Sequence, residues 1–239
     1  TPLPRLLRDS VRAVRIAAAN VLAGIPLPQI PAPFQADMQR AMEEFRISTE
    51  VQADFPSGQL MLGQFYQKTG QQQQAEQSYL KALEIDSLFN MARINLATLY
   101  NGLSRNEEAI RQLKTVILLE PEYGPAYYSL GLLYAEENDL DQAVNYLAQA
   151  ATRVGNNPRI FYNWGLALQH QQKPREAEAA YLEGLKVDPQ SAAIHQALAI
   201  LYLQQKNAVK ARYHAEFLVS QYPDNPQFRQ LFQQTQAGS

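Results

Sequence analysis

Apolar residues in this chain follow two periods at once. Over short stretches they return every three or four positions, as on one face of a helix. At longer range LMLGQFY at 60, NLATLY at 95, SLGLLY at 129, NWGLAL at 163 and ALAILY at 197 share one register. Gly63, Ala97, Gly131, Gly165 and Ala199 stand 34 residues apart, and 12 residues after each comes Ala75, Ala109, Ala143, Ala177 or Ala211. Three positions beyond each small residue stand Tyr66, Tyr100, Tyr134, Leu168 and Tyr202. Turn residues such as Thr69-Gly70, Ser104-Arg105 and Asn138-Asp139 divide each unit into two helical stretches, so each unit is expected to be a helical hairpin. Gly or Ala on the first helix is expected to face Ala on the second, where only small side chains let the backbones approach.

Pro121, Pro189 and Pro223 close the second, fourth and fifth units. The third has Gly155 there, then Asn156, Asn157 and Pro158, read as a Gly C-cap, an Asn N-cap and Pro at the first helical position. Ser87 in the first unit marks its boundary least clearly. The five units are placed at 56–89, 90–123, 124–157, 158–191 and 192–225. This pattern resembles the tetratricopeptide repeat family. The resemblance implies an all-α fold, an α-α superhelix in which hairpins bury their apolar faces by stacking and the ends are capped. FQADMQRAMEEF aligns Phe34, Met38, Ala41, Met42 and Phe45, so 34–55 is expected to cover the first repeat. At the other end Phe228, Leu231 and Phe232 mark a capping helix with a tail, 226–239.

The opening stretch LLRDSVRAVRIAAANVLAG, within 1–24, is basic in front and apolar behind. Its arginines persist too far for an export signal. Arg5, Arg8, Arg12 and Arg15 fall on one helical face and Leu7, Val11, Val14, Ala18 and Val21 on the other, which predicts an amphipathic packing helix with Asp9 at the turn. The wording resembles the second half of a HEAT repeat, here without its upstream partner. IPLPQIPAPF follows, and 25–33 is expected to be a stiff, extended connector that cannot be helical. The start at Thr-Pro-Leu-Pro, with no initiator Met, suggests an excised fragment. HEAT-like helix, Pro-rich connector, amphipathic helix and repeat array in this order resemble the C-terminal region of certain bacterial multihaem c-type cytochromes. That resemblance implies a periplasmic or otherwise extracytoplasmic place beside an upstream haem domain. The alternative is a free-standing cytoplasmic adaptor.

Composition narrows the chemistry. With 21 Lys plus Arg against 23 Asp plus Glu, no net charge drives the chain towards nucleic acid or an anionic membrane. The arginine face at 5–15 comes without an aromatic platform. No cysteine is present, so disulfides, thiolate zinc sites and CXXCH haem attachment are excluded within the chain, and haem belongs only to an upstream domain. No apolar run is long enough to span a membrane. His170, His195 and His214 form no i, i+4 metal pair, and no phosphate loop, nucleophile elbow or dinucleotide fingerprint occurs. No catalytic residue, metal ligand or cofactor is therefore assigned, and the chain reads as a non-enzyme. An enzyme regulated by the repeats would need its catalytic domain elsewhere.

In the family, first helices line a concave groove. The resemblance places Leu60 and Gln64, Ile94 and Thr98, Tyr128 and Leu132, Tyr162 and Leu166, and Gln196 and Ile200 there. Asn95 and Asn163 occupy a slot that often bonds a peptide backbone, with Arg159 and Lys68 as the nearby cations. The lysine, arginine and asparagine clamp of chaperone-binding members is mostly missing, which argues against capture of an acidic C-terminal tail. Tyr128 and Tyr162 either pack between hairpins or touch a ligand, and Tyr suits both. The expected partner is a protein or peptide segment with apolar anchors, from another chain or from the same polypeptide, and self-association fits the same surfaces.

Overall fold

A computed structural model describes residues 3–237. The chain is all-α, with no strand among the described residues, and it divides after Leu119 into two compact units.

The first unit opens with a 3-10 helix, Leu3–Arg8, then α1 (Arg12–Leu22), two further 3-10 turns at Leu27–Gln29 and Ala32–Phe34, and α2 (Gln35–Glu50). The opening stretch is thus broken where one helix was expected. The Asp9 carboxylate accepts the Val11 amide at 2.8 Å, and the Arg15 guanidinium donates to the carbonyls of Asp9 and Ser10, which fixes the break. The expected apolar face is also rotated. Ala18, Ala19 and Leu22 are buried, whereas Val11 and Val21 are 55% and 67% exposed. Ala18, Ala19 and Leu22 pack with Leu7, Ile30, Met38 and Ala41, so α1 finds its partner in α2.

The arginine face is spent on the same junction. Arg8 bonds Asp37 at 2.6 Å, and Arg15 grips Glu44 through two nitrogens at 2.9 and 3.1 Å. The Arg15 bond holds the Glu44 carboxyl below its ordinary range. The connector expected to exclude helix holds two 3-10 turns. Pro26 and Pro31 stand just before them with extended backbone, φ −53° in both, and 3-10 geometry tolerates Leu-Pro and Ala-Pro at its first positions. Because α2 gives Met38 and Ala41 to α1, only its C-terminal part covers the first hairpin, where the Phe45 and Phe65 rings lie 5.1 Å apart.

Two hairpins follow: α3 (Pro56–Lys68) with α4 (Gln72–Ile85), and α5 (Asn90–Gly102) with α6 (Asn106–Leu119). Ser87 needs no proline to close its unit. Asp86 accepts the Leu88 amide at 2.9 Å, and Asp188 does the same for Gln190 at 3.0 Å three repeats later.

The second unit holds α7 (Gly124–Glu136) with α8 (Leu140–Arg153), α9 (Pro158–His170) with α10 (Pro174–Val187), α11 (Ala192–Gln204) with α12 (Ala208–Gln221), and finally α13 (Pro226–Ala237). At the third stop Asn157 caps α9 by accepting the Arg159 amide at 3.1 Å, with Pro158 at the first helical position. Helices α7, α9 and α11 neighbour one another in order, as first helices of stacked hairpins do.

The small residues of the first helices meet something other than the expected alanines. A Cβ added at Gly63, Gly131 or Gly165 would lie 2.4 to 2.6 Å from Tyr79, Leu147 or Tyr181, each 16 positions later. Ala75, Ala109, Ala143, Ala177 and Ala211 are themselves fully buried.

Neighbouring hairpins are tied by a recurring polar contact. Tyr100 donates to Glu76 at 3.0 Å while Arg105 bonds the same carboxylate and lies over the Tyr100 ring. Likewise Tyr202 donates to Glu178 at 2.6 Å, with Lys210 bonding that carboxylate and lying over the Tyr202 ring. Burial, then the Glu76 bond, pushes the Tyr100 hydroxyl up to about 12.

Candidate functional site

The positions expected on the groove fall in both units. In the first, α3 and α5 bring Gln64 within 3.5 Å of the Asn95 carbonyl oxygen, and Asn95 donates its own amide to the Met91 carbonyl at 2.7 Å. Thr98 donates to the Ile94 carbonyl. Leu60, Gln64, Ile94 and Asn95 are half-buried and Thr98 is exposed. Lys68 is drawn away to Asn20 on α1, 3.0 Å off.

In the second unit the first helices of three hairpins form two adjoining clefts. One, of about 220 Å³, is lined by Leu132, Leu140, Asn163, Leu166, Ala167 and His170 among others. The next, of about 190 Å³, is lined by Tyr162, Leu166, Gln169, Gln196, Ala197 and Ile200 among others. Leu166 forms a wall of both. Arg159 lines neither of these clefts; its backbone amide is held by Asn157, and its side chain is exposed.

The two tyrosines are partly committed to packing. Tyr128 lies against the cluster of Ala143, Leu147 and Ala167, and Tyr162 against the cluster containing Tyr181 and Leu198. Both residues are half-buried; Tyr162 lines the second cleft, whereas Tyr128 lines neither.

The arrangement sets hydrogen-bonding side chains beside apolar ones. Asn163 donates its amide to the Tyr128 hydroxyl oxygen at 2.7 Å. Since that oxygen accepts, the Tyr128 hydrogen remains to give, and the Asn163 carbonyl oxygen remains to accept. Leu132 and Leu166 line the same cleft as Asn163, and Tyr162 lines the next one with Leu166. No cationic clamp lies in either cleft.

One constellation was missed by sequence reasoning. His195 on α11 and His214 on α12, in separate contexts along the chain, meet with their Nδ1 atoms 2.9 Å apart, both buried. Their 19-residue spacing across a hairpin turn was the signal; adjacency along one helix was the wrong test. Among the described residues no group of three or more His, Cys, Asp or Glu is placed to hold a metal. No helix among them is long and apolar enough to cross a membrane.

Comparison with known proteins agrees with this architecture. In fold, the chain is similar to a MamA crystal structure (TM-score 0.65, 19% identity, 70% of this chain and 92% of the other). It is equally similar to YrrB, described as a TPR protein with an unusual peptide-binding site (TM-score 0.65, 20% identity, 82% and 99%). In sequence it is 24% identical over 54% of its length to the general transcriptional corepressor ssn6 of Schizosaccharomyces pombe, and 25% over 74% to the human protein O-mannosyl-transferase TMTC3. The chain spans 12% and 17% of those two proteins' lengths. Tetratricopeptide repeat models match residues 57–87, 94–158 and 162–226, more than half of the chain. By that match, carried by the 34-residue hairpins themselves, the chain belongs to the tetratricopeptide repeat family.

Proposed function

We propose that this chain is a non-catalytic scaffold that holds an extended protein segment in the paired clefts of α7, α9 and α11. The observation that carries the reading is Asn163, which lines the first cleft beside Leu166, the wall of both clefts, and is held there by its bond to the Tyr128 hydroxyl. Family membership supports the general role, since tetratricopeptide proteins serve as protein-interaction scaffolds. YrrB, described as having a peptide-binding site, is a fold neighbour. Similarity to a mannosyl-transferase carries no activity here, because the chain spans only 17% of that protein. The finer context we propose is attachment to an exported multihaem cytochrome, with haem held outside this chain and the repeats extracytoplasmic. It rests on the order of HEAT-like segment, Pro-rich connector and array. A haem stain of the full-length native product separates this from a free-standing cytoplasmic adaptor.

The groove is tested by panning a random-peptide library on the whole chain and titrating the enriched peptide calorimetrically. Tyr162→Ala with Leu166→Ala should weaken binding at least about tenfold, since two apolar contacts of the cleft are lost. Failure to enrich any peptide, or undiminished affinity in a folded double variant, overturns the reading.

A further inference from the structure

The α11 and α12 hairpin is closed over a buried pair of imidazoles. Besides facing each other, the rings are fixed from outside: His195 Nε2 lies 3.1 Å from the Pro189 carbonyl oxygen in the connection before α11. A carbonyl can only accept, so that nitrogen carries a hydrogen. In the neutral ring Nδ1 of His195 is then an acceptor, and it takes the hydrogen on Nδ1 of His214. The arrangement is complete with both rings neutral. One added proton goes to Nε2 of His214 and leaves the hydrogen bond between the two Nδ1 atoms in place, at the cost of one positive charge in a buried site. A second proton sets two N–H groups and two positive charges against each other across 2.9 Å.

Aromatic rings pack around the buried pair. Phe217 stacks on His195 with centroids 3.8 Å apart, Tyr202 on His214 at 5.8 Å, and Tyr213 meets His214 edge-on at 5.0 Å. The charges acting on the pair are few. Asp188 acts on His195 from the connection before α11, while Glu178 of α10 and Lys210 of α12 oppose each other at His214. Arg212 and exposed Glu216 lie elsewhere on α12. On α13 the one charged side chain, Arg229, bonds the Asp224 carbonyl. Glu178 is already bound by Tyr202 and Lys210 and has little left to stabilise an imidazolium.

We propose that His195 and His214 form a proton-sensitive latch that holds the last hairpin closed near neutral pH and releases it in mildly acidic surroundings. Burial, and then the facing His195, holds His214 down at about 4, and burial lowers His195 as well. An unfolded imidazole titrates near its ordinary 6.5, so below that pH the open hairpin takes up protons that the closed one refuses. Stability is therefore full above 6.5 and is lost as pH falls towards the folded value. Helix α11 also carries Gln196 and Ile200 of the second cleft, so the latch lies on a helix of that wall.

Hydrogen exchange on the full chain, corrected for the intrinsic pH effect, tests this without any ligand. Between about pH 7.5 and about pH 5, protection of α11, α12 and α13 should fall on the order of 30-fold, with α7 and α8 unchanged. Carboxylates titrate below this window, so they do not blur it. His214→Phe should flatten the dependence. Unchanged pH dependence in that variant, or constant protection in the wild type, overturns the proposal. Should His214→Phe not fold, nuclear magnetic resonance titration of the wild-type rings decides. A midpoint for the pair at least about one unit below the ordinary value supports the latch, and anything nearer overturns it.

Discussion

A methyl group added at Gly165 would lie 2.4 Å from the ring of Tyr181, which is fully buried and donates its hydroxyl to Gln169 at 3.1 Å. Replacing a helical glycine by alanine ordinarily gains about 0.5 to 1 kcal/mol of backbone entropy. Overpacking a closed core costs about 1 to 3 kcal/mol, and a ring enclosed on all sides cannot swing away, so the clash wins. Gly165→Ala is thus expected to lower stability by about 1 to 2 kcal/mol in urea unfolding. In a Tyr181→Ala background, itself costly, the same change should become neutral or favourable, because Ala199 and Ala215 pack together at the equivalent positions. Equal cost in both backgrounds would show that the ring is not the reason for the glycine. The 34-residue spacing revealed that a small residue is needed at these positions, but not what it faces. Residues 63 and 79, or 165 and 181, lie eight positions on either side of Gln71 or Lys173, the residue that ends each tight turn. Only the turn geometry reveals that centre, and without it the nearer alanine looked like the partner.

The turns repeat as faithfully as the helices. Gly70, Ser104, Asn138, Gln172 and Lys206, again 34 apart, all have positive φ, between 58° and 77°. Each helix end closes alike: in the last hairpin Lys206 donates to the Leu203 carbonyl and Asn207 to that of Tyr202. This is the Schellman closure, for which glycine is the preferred left-handed residue. Lys206→Gly is expected to stabilise by about 0.5 to 1 kcal/mol, since the left-handed cost of about 1 to 2 kcal/mol exceeds the extra entropy glycine loses. Gly70→Ala should destabilise by about 1 kcal/mol. Thermal melts of the two variants should shift in opposite directions, and a common direction would refute the argument. Gly70, Ser104 and Asn138 were legible as turn residues from their type, whereas Gln172 and Lys206 carry no such signal and are held by the hairpin itself.

Between hairpins, the Tyr202 bond to Glu178 is expected to contribute about 1 to 2 kcal/mol, measurable as the stability lost in Tyr202→Phe. The bonds from Tyr202 and then Lys210 hold the Glu178 carboxyl below its ordinary range. That contribution is therefore present above the ordinary carboxylate value and is lost as pH falls through the lowered one. A repeat earlier Val144 packs against the cluster holding Leu168, so an apolar pair serves where the Tyr and Glu pair is absent.

At the scale of the molecule, the repeat pattern was readable because each hairpin obeys the same local rules, and the ends were less so because nothing repeats there. Residues 3–34 show the difference: helical spacing suggested one face, while Asp9 and Arg15 fix a break in the segment and the pairing of Arg8 with Asp37 and Arg15 with Glu44 ties it to α2. The cleft was legible as positions but not as chemistry, since the Tyr128 and Asn163 bond joins residues 35 apart on two helices. A stack of hairpins transmits stability only between neighbours. In the second unit Phe228 and Leu231 of α13 cover Ala199, Ala215 and Leu218 of the hairpin before it. Leu231→Ala should remove about 2 to 3 kcal/mol, the lower part of the range for such truncations because Leu231 is not fully enclosed. If the array is quasi-one-dimensional, hydrogen exchange should accelerate through α11, α12 and α13 and leave α7 and α8 protected. Loss spread evenly over all seven helices of the second unit would instead mean that these hairpins open as one cooperative body, with end and middle equally exposed to a change at the cap.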